Sequence, residues 1–175
     1  MLVCGRPSRL TKVAFATVGT TQFDVLIETL LSDQALALLA RHGFTHLRLQ
    51  VGRGTEPTVP SLPPLKVEWY RFKESLSPDM TESALLISHA GAGSILEGLR
   101  LRKLLLVVVN DQLMHNHQQE LAHALAEQKH LVATTPSRLR DELQQMLEKP
   151  PALLPYPDAD PTLFPRFLTG ALGLV

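Results

Sequence analysis

The stretch of sequence that decides the fold is LLISHAGAGSILEGLRLRKLLLVVV, which occupies residues 85–109. It predicts a strand over residues 85–88, a glycine-rich turn over 89–94, a helix over 95–101 and a second strand over 104–109. The second strand consists of six successive aliphatic residues, which is typical of a strand covered on both faces in a parallel sheet. The stretch therefore predicts one right-handed strand–helix–strand unit.

The same alternation of short apolar runs and amphipathic segments continues outward in both directions. Two local signals predict helix ends. Thr21 with Asp24 resembles a capping box at a helix start, and Gly43 is a candidate C-cap. Strands alternating with helices predict an α/β, Rossmann-like fold with a mainly parallel sheet and flanking helices. We expect strands over residues 12–18, 45–51, 66–72 and 130–133, and helices over 23–31 continuing through 33–41, and over 76–83, 117–129 and 137–148.

The composition is that of an ordinary globular protein. Of the 175 residues, 45% are hydrophobic and 19% are charged, which argues against disorder. The formal net charge is zero, so nothing points to a nucleic-acid partner. Cys4 is the single cysteine, which rules out an internal disulfide. No apolar run reaches the ~20 residues that span a bilayer. The amino terminus lacks a signal-peptide core, so we expect a cytosolic protein with no transmembrane segment of its own.

The composition changes after Lys149, where six of the thirteen prolines fall within residues 150–165. We therefore predict a globular domain over residues 12–149, a Pro-rich arm over 150–163 and an apolar helix over 164–175. The helix must bury its apolar face either on its own domain or on a partner. The candidate partner-docking residues are Phe164, Phe167, Leu168, Ala171, Leu172 and Val175.

The glycine-rich turn is the strongest candidate site. Gly91 and Gly93 would let a ligand approach the backbone, Ser94 offers a hydroxyl, and the turn opens a helix whose free N–H groups suit a phosphate. No Gly-Lys-Ser/Thr follows, which excludes a Walker A loop, and Leu96 stands where a dinucleotide fingerprint needs glycine. The alternative is a tight turn that needs small residues only for packing.

Other polar residues near the predicted carboxyl edge have two interpretations each. Ser94 with Glu97 is either a capping box or a carboxylate placed to bind a ribose. His115 with His117 lacks an evident third metal ligand, so we expect no metal site. Asn116 with Gln119 resembles a helix N-cap pair, whereas the amides of Gln118 and Gln119 at a helix start also suit the hydroxyls of a sugar.

Four motifs carry a family resemblance: TVGTTxFD at 17–24, LQVGRG at 49–54, SHAGAGSxxE at 88–97 and NxxLMxNHQ at 110–118. Together they resemble the catalytic-subunit family of the eukaryotic UDP-N-acetylglucosamine transferase of asparagine-linked glycosylation. The resemblance covers roughly residues 12–175. This family is similar in turn to the carboxyl-terminal, donor-binding half of the bacterial lipid II N-acetylglucosaminyltransferase, a GT-B enzyme.

The resemblance implies that residues 12–149 form a donor-nucleotide-sugar-binding domain. Its donor would be UDP-N-acetylglucosamine, with no tightly bound cofactor and no metal. By motif position, Glu97 would hold the uridine ribose, the glycine-rich turn would face the diphosphate, and Gln118 with Gln119 would contact the sugar. His89 stands where the bacterial enzyme has a basic residue, and it is a candidate catalytic residue. The implied donor-binding residues are Gly19, Thr20, His89, Gly91, Ala92, Gly93, Ser94, Glu97, Asn116, Gln118 and Gln119.

The resemblance also implies the reaction and the partner. The family works with a membrane-anchored subunit on the cytosolic face of the endoplasmic reticulum and adds the second N-acetylglucosamine to dolichyl-diphosphate-N-acetylglucosamine, with inversion. No Asp or Glu near the donor motifs is placed to act as the general base, so we expect the base on the partner. Two alternatives stay open: a bacterial-type two-component exopolysaccharide glycosyltransferase, which residues 50–54 disfavour, and a non-catalytic nucleotide-sugar-binding scaffold.

Overall fold

The computed structural model describes residues 11–110 and 117–158, together with the single positions 160, 162, 165, 166 and 169. These residues form a parallel six-stranded sheet in the order β3-β2-β1-β4-β5-β6. The order reverses between β1 and β4, as in doubly wound Rossmann-like sheets. The strands are β1 Val13–Thr17, β2 His46–Gln50, β3 Lys66–Tyr70, β4 Leu85–His89, β5 Leu104–Val108 and β6 Val132–Thr134.

The helices cover both faces of the sheet, which confirms the predicted fold class. One apolar core joins α1, α2 and α6 to the sheet through Leu26, Leu36 and Leu139. The other joins α3, α4 and α5 to the opposite face, where Met80 and Ile95 are buried. The helices are α1 Asp24–Leu31, α2 Asp33–Arg41, α3 Ser77–Glu82, α4 Ala92–Arg100, α5 His117–Glu127 and α6 Leu139–Glu148.

The aliphatic run that ends the opening stretch is a central strand, as predicted. Successive side chains of a strand point to opposite faces. Leu106 and Val108 accordingly pack into the first core, whereas Leu105 and Val107 pack into the second. An unbroken apolar strand is stable here because both of its faces are covered.

Two predicted helix signals near the amino terminus are wrong. The N-cap of α1 is Phe23, without a side-chain cap, so Thr21 and Asp24 form no capping box. The Asp24 carboxylate instead accepts the Thr55 N–H at 2.9 Å, because the loop after β2 folds back onto α1. The helix also does not continue from α1 into α2, since Ser32 is extended and accepts the Ala35 N–H as the N-cap of α2.

The end of α2 also differs from the prediction by one residue. The C-cap of α2 is His42 and not Gly43, although Gly43 follows it with a φ of +81°. Within the described residues, no helix is both long enough and apolar enough to cross a membrane.

The described part of the Pro-rich arm packs along the end of α5. The Leu154 N–H donates to the Lys129 carbonyl at 2.8 Å, and the ring of Tyr156 meets the edge of His130 with centroids 5.3 Å apart. Tyr156 also packs against the second core. The arm therefore follows the domain surface, and His130 serves in packing. The six predicted docking residues lie outside the described residues: Phe164, Phe167, Leu168, Ala171, Leu172 and Val175.

Candidate donor site

The predicted glycine-rich turn lies at the point where the strand order reverses. β1 and β4 are neighbours there, and their following helices α1 and α4 pack on opposite faces of the sheet. Chains that leave adjacent strands toward opposite faces open a crevice at the carboxyl edge, where open α/β sheets bind ligands. The turns after Thr17 and after His89 flank this crevice.

The N-terminus of α4 is free of side-chain capping. Its N-cap, Gly91, offers no side-chain acceptor, and its first turn carries no acidic residue. Ala92 and Gly93 are exposed. By contrast, the first turns of α1, α2, α3, α5 and α6 each carry an acidic residue, and α2 is also capped by the hydroxyl of Ser32. Free N–H groups and the positive end of the helix dipole favour an anion at the start of α4.

Gly91 and Gly93, the two glycines of the predicted turn, are glycine for different reasons. A Cβ on Gly91 would collide with the ring of His89, with Cε1 at 2.7 Å. A Cβ on Gly93 would meet nothing within 4 Å. Packing therefore accounts for Gly91 but not for Gly93. An exposed glycine inside a helix costs up to about 1 kcal/mol relative to alanine, and the close approach of a ligand would explain it.

The capping-box interpretation of Ser94 with Glu97 is wrong, because α4 begins at Ala92 and Ser94 is already its third residue. Ser94 and Glu97 are three positions apart and therefore lie on one face of the helix. Both are half-buried, whereas Ile95 on the opposite face is buried against the sheet. The Glu97 carboxylate thus belongs to the face that carries Ser94, one turn further from the free N-terminus.

The turn after β1 is held from inside the protein. The Gly19 N–H donates to Thr17 Oγ1 at 3.1 Å and to Gln50 Oε1 at 2.9 Å. This donor is therefore used within the chain, and Gly19 could serve a ligand by allowing close approach but not by donating its N–H. Thr20 and Thr21 are both exposed.

His89 fills the space between the two turns. Its ring stands where a Cβ on Gly19 or on Gly91 would be, with Cε1 2.7 Å from either position. Burial lowers the pKa of the imidazole below its ordinary 6.5, with the Thr17 backbone acting in the opposite direction. Within the described part of the chain, its buried Nδ1 has no hydrogen-bond partner. Burial therefore favours the uncharged form of this imidazole.

The predicted amide site is only partly described. Gln119 is half-buried, and its Nε2 donates to the Asn110 carbonyl at 3.3 Å. Asn116 and the side chain of Gln118 lie outside the described residues, as does His115. No group of three His, Cys, Asp or Glu that could hold a metal occurs among the residues described.

Sequence reasoning missed two features at this edge of the sheet. One is the buried Gln50, whose amide holds the Gly19 turn but whose motif position alone does not indicate a contact. The other is a cavity of about 550 Å³ on the α1 and α6 side. It is lined by Gln22, Phe23, Asp24, Val25, Thr29, Asn110, Pro136 and Ser137.

Comparison with known proteins assigns this chain to a sequence family. Residues 13–164 match the model of the glycosyltransferase family 28 C-terminal domain. The chain is 47% identical over 125 residues to the mouse UDP-N-acetylglucosamine transferase subunit ALG13, which covers 71% of the chain but only 11% of that relative. The Saccharomyces cerevisiae protein of the same name is 30% identical over 190 residues, covering 90% of this chain and 94% of the relative.

Solved structures show the same fold. The NMR solution structure of ALG13 is 30% identical, with a TM-score of 0.65, and the match covers 90% of this chain and 95% of that one. MurG from Acinetobacter baumannii is 17% identical, with a TM-score of 0.56, and matches 79% of this chain and 40% of its own. At that identity the second likeness concerns the fold alone.

Proposed function

Because this chain belongs to the glycosyltransferase family 28 C-terminal domain family, we propose that it binds UDP-N-acetylglucosamine as the donor-side subunit of a two-chain glycosyltransferase. The relatives that share its sequence are named UDP-N-acetylglucosamine transferase subunits. The proposal carries that donor over to the crevice between the turns after β1 and β4.

One observation carries the proposal: the uncapped N-terminus of α4 lies at the switch point, beside an exposed Gly93 that has open space around it. The diphosphate of the donor would lie against the first turn of α4, where N–H groups and the helix dipole stabilise its charge. Glu97, one turn further along the same face as Ser94, would accept hydrogen bonds from the ribose hydroxyls. Thr20 on the opposite turn and the amides of Gln118 and Gln119 would complete the contacts.

The proposed reaction is an inverting displacement. The acceptor hydroxyl forms a bond to the anomeric carbon as the bond from that carbon to the diphosphate breaks, and UDP leaves with the bonding electrons. The hydroxyl proton passes to a general base. The start of α4 would stabilise the charge that grows on the leaving diphosphate, so the step needs neither a metal nor another resident cofactor.

His89 is not suited to be that base. Its ring is enclosed between Gly19 and Gly91, and its pKa is lowered by burial. We propose that the base, the lipid-binding surface and the membrane anchor belong to a partner chain. The proposed acceptor is dolichyl-diphosphate-N-acetylglucosamine, and the complex would act at the cytosolic face of the endoplasmic reticulum in the second step of lipid-linked oligosaccharide assembly.

The decisive experiment is co-expression of this chain with a candidate membrane-anchored subunit, followed by transfer from UDP-N-acetylglucosamine to a short-chain polyprenyl-diphosphate-N-acetylglucosamine. Each chain alone is the control. We expect a di-N-acetylchitobiosyl product only when both chains are present. Donor binding without transfer in the complex would favour the non-catalytic scaffold. Transfer only to a different lipid-linked sugar would favour the exopolysaccharide class.

A further inference from the structure

Gln50, at the end of β2, is a buried polar side chain, 1% exposed, beneath the turn that follows β1. Its Oε1 accepts hydrogen bonds from Thr17 Oγ1 at 2.5 Å and from the Gly19 N–H at 2.9 Å. Its Nε2 donates to the carbonyls of Gly19 and Arg71, each at 2.7 Å. All the donors and acceptors that a carboxamide commonly uses are therefore occupied.

The sheet itself does not need an amide here. The pairing of β2 with β1 and β3 is made by backbone atoms, and the apolar Leu47 and Leu49 point to the other face of the sheet from Gln50. The side-chain amide of Gln50 instead holds the backbone of one residue, Gly19. It binds both the N–H and the C=O of Gly19, a residue whose φ of +61° lies in the left-handed region. A fully satisfied buried network of this kind favours one conformation of the turn.

The conformation of the Gly19 turn is linked to the start of α4 by direct packing. Gly19 contacts the ring of His89, and the same ring stands against Gly91, the N-cap of α4. A movement of the Gly19 peptide would therefore open space on one side of the imidazole. The ring, and with it the spacing between the two turns, would no longer be held.

We propose that Gln50 is a positioning residue of the donor site: through Gly19 and His89, it holds the turn after β1 at the spacing from the α4 N-terminus that a donor diphosphate requires. The ligand in this inference rests on the proposed function, but the mechanical link among the three residues does not. Gln50 itself is buried beneath the turn and is not exposed in the crevice.

Two variants and one control test the link. Gln50→Leu removes all four hydrogen bonds at nearly constant volume. Thr17→Val is milder, since it removes the hydroxyl that donates to Gln50 and accepts from the Gly19 N–H, but leaves that N–H its hydrogen bond to Gln50. The matched control is Leu47→Ala, which creates a cavity in the same strand, three residues before Gln50. All three variants are measured in the full chain.

The first readout is the affinity for UDP-N-acetylglucosamine by calorimetry. We expect Kd to rise about tenfold in Gln50→Leu and a few-fold in Thr17→Val, while Leu47→Ala stays within about twofold despite a lower melting temperature. Wild-type affinity in both test variants would overturn the proposal, as would an equal loss of affinity in Leu47→Ala.

The second readout is the titration of His89 by NMR, which does not depend on any donor. A loosened Gly19 turn admits water to the imidazole, so its pKa should rise toward 6.5 in Gln50→Leu and remain at the wild-type value in Leu47→Ala. An unchanged His89 titration in Gln50→Leu contradicts the link. If the wild-type chain does not bind UDP-N-acetylglucosamine, the proposed function fails, and this titration alone decides the role of Gln50.

Discussion

The ring of His89 occupies the space in which a side chain on Gly19 would begin, with its Cε1 only 2.7 Å from that position. These residues are seventy positions apart in the chain. Gly19 follows β1 by two residues, and His89 ends the adjacent strand β4. Their contact joins the turn after β1 to the turn before α4. It therefore determines the width of the crevice in which we place the donor.

Gly19→Ala should weaken both folding and donor binding. The variant places a Cβ against His89 and forces alanine into a φ of +61°, at a combined cost of roughly 1–3 kcal/mol in unfolding free energy. Gly43→Ala is the matched control, because Gly43 has a φ of +81° but nothing within 4 Å of its Cβ position. Urea unfolding should show a loss in both variants, and calorimetry should show weaker UDP-N-acetylglucosamine binding only in Gly19→Ala.

Gly93→Ala should change stability and binding in opposite directions. A Cβ at this exposed helical position meets no atom of the chain within 4 Å, so the unfolding free energy should rise by up to about 1 kcal/mol. The same methyl group would stand where the diphosphate approaches α4, so the donor Kd should increase. A variant that is more stable and binds the donor normally would remove Gly93 from the site.

Glu97→Ala should weaken donor binding and leave the fold intact. Loss of a charged hydrogen-bond acceptor for the ribose corresponds to about 1.5–3 kcal/mol, or roughly a ten- to hundredfold higher Kd. The control is Glu127→Ala, which removes an exposed carboxylate at the far end of α5. Saturation-transfer NMR or calorimetry measures the difference, and equal affinity in the two variants would limit Glu97 to a structural role.

Stability should fall as the pH drops below the 6.5 at which an ordinary histidine titrates. Burial lowers the pKa of His89 in the folded protein, so the unfolded chain binds the proton more readily within this window. Above 6.5 both states are neutral at this residue, and its contribution stays constant. The free energy of unfolding should therefore depend less on pH in His89→Gln than in the wild type between about pH 5 and about pH 6.5.

A second buried group, Asp79, changes stability only at a lower pH than His89 does. Burial alone would raise the pKa of Asp79, but hydrogen bonds from Lys73 and Tyr70 lower it below its ordinary 3.8. Its stabilising contribution is thus present above 3.8 and is lost only as the pH falls through the lowered value. A wild-type decline that begins only in this more acidic range, with no difference from His89→Gln above it, would contradict the assignment to His89.

Deletion of residues 160–175 should abolish formation of the complex with the membrane-anchored partner. The reason is the helical spacing of apolar residues from Phe164 to Val175, which gives the segment a face to bury. Co-purification from cells that express both chains measures the effect, with urea unfolding of the truncated chain as a check on the domain. A truncated chain that still co-purifies would move the docking surface elsewhere.

The doubly wound sheet could be predicted from the sequence because hydrophobic periodicity is local. The run from Leu104 to Val109 needs cover on both faces, and the amphipathic segments around it supply that cover. The glycine-rich segment is predicted between β4 and α4 for the same reason, but its bounds of 89–94 are wrong, because His89 still belongs to β4 and α4 already begins at Ala92. Both predicted capping boxes were wrong, since Ser-x-x-Glu or Thr-x-x-Asp spacing indicates a cap only if the helix begins there, and Phe23 and Gly91 are the actual N-caps.

What the sequence by itself determined about this protein is the order of its strands and helices and the family motifs that they carry. Only the tertiary structure decided which of these residues act on one another. Gly91 makes room for His89 while Gly93 faces open space, and Gln50 binds the peptide of Gly19. These contacts join residues from different strands of the sheet, and their geometry follows from how the strands cross over and pair, which no local pattern records.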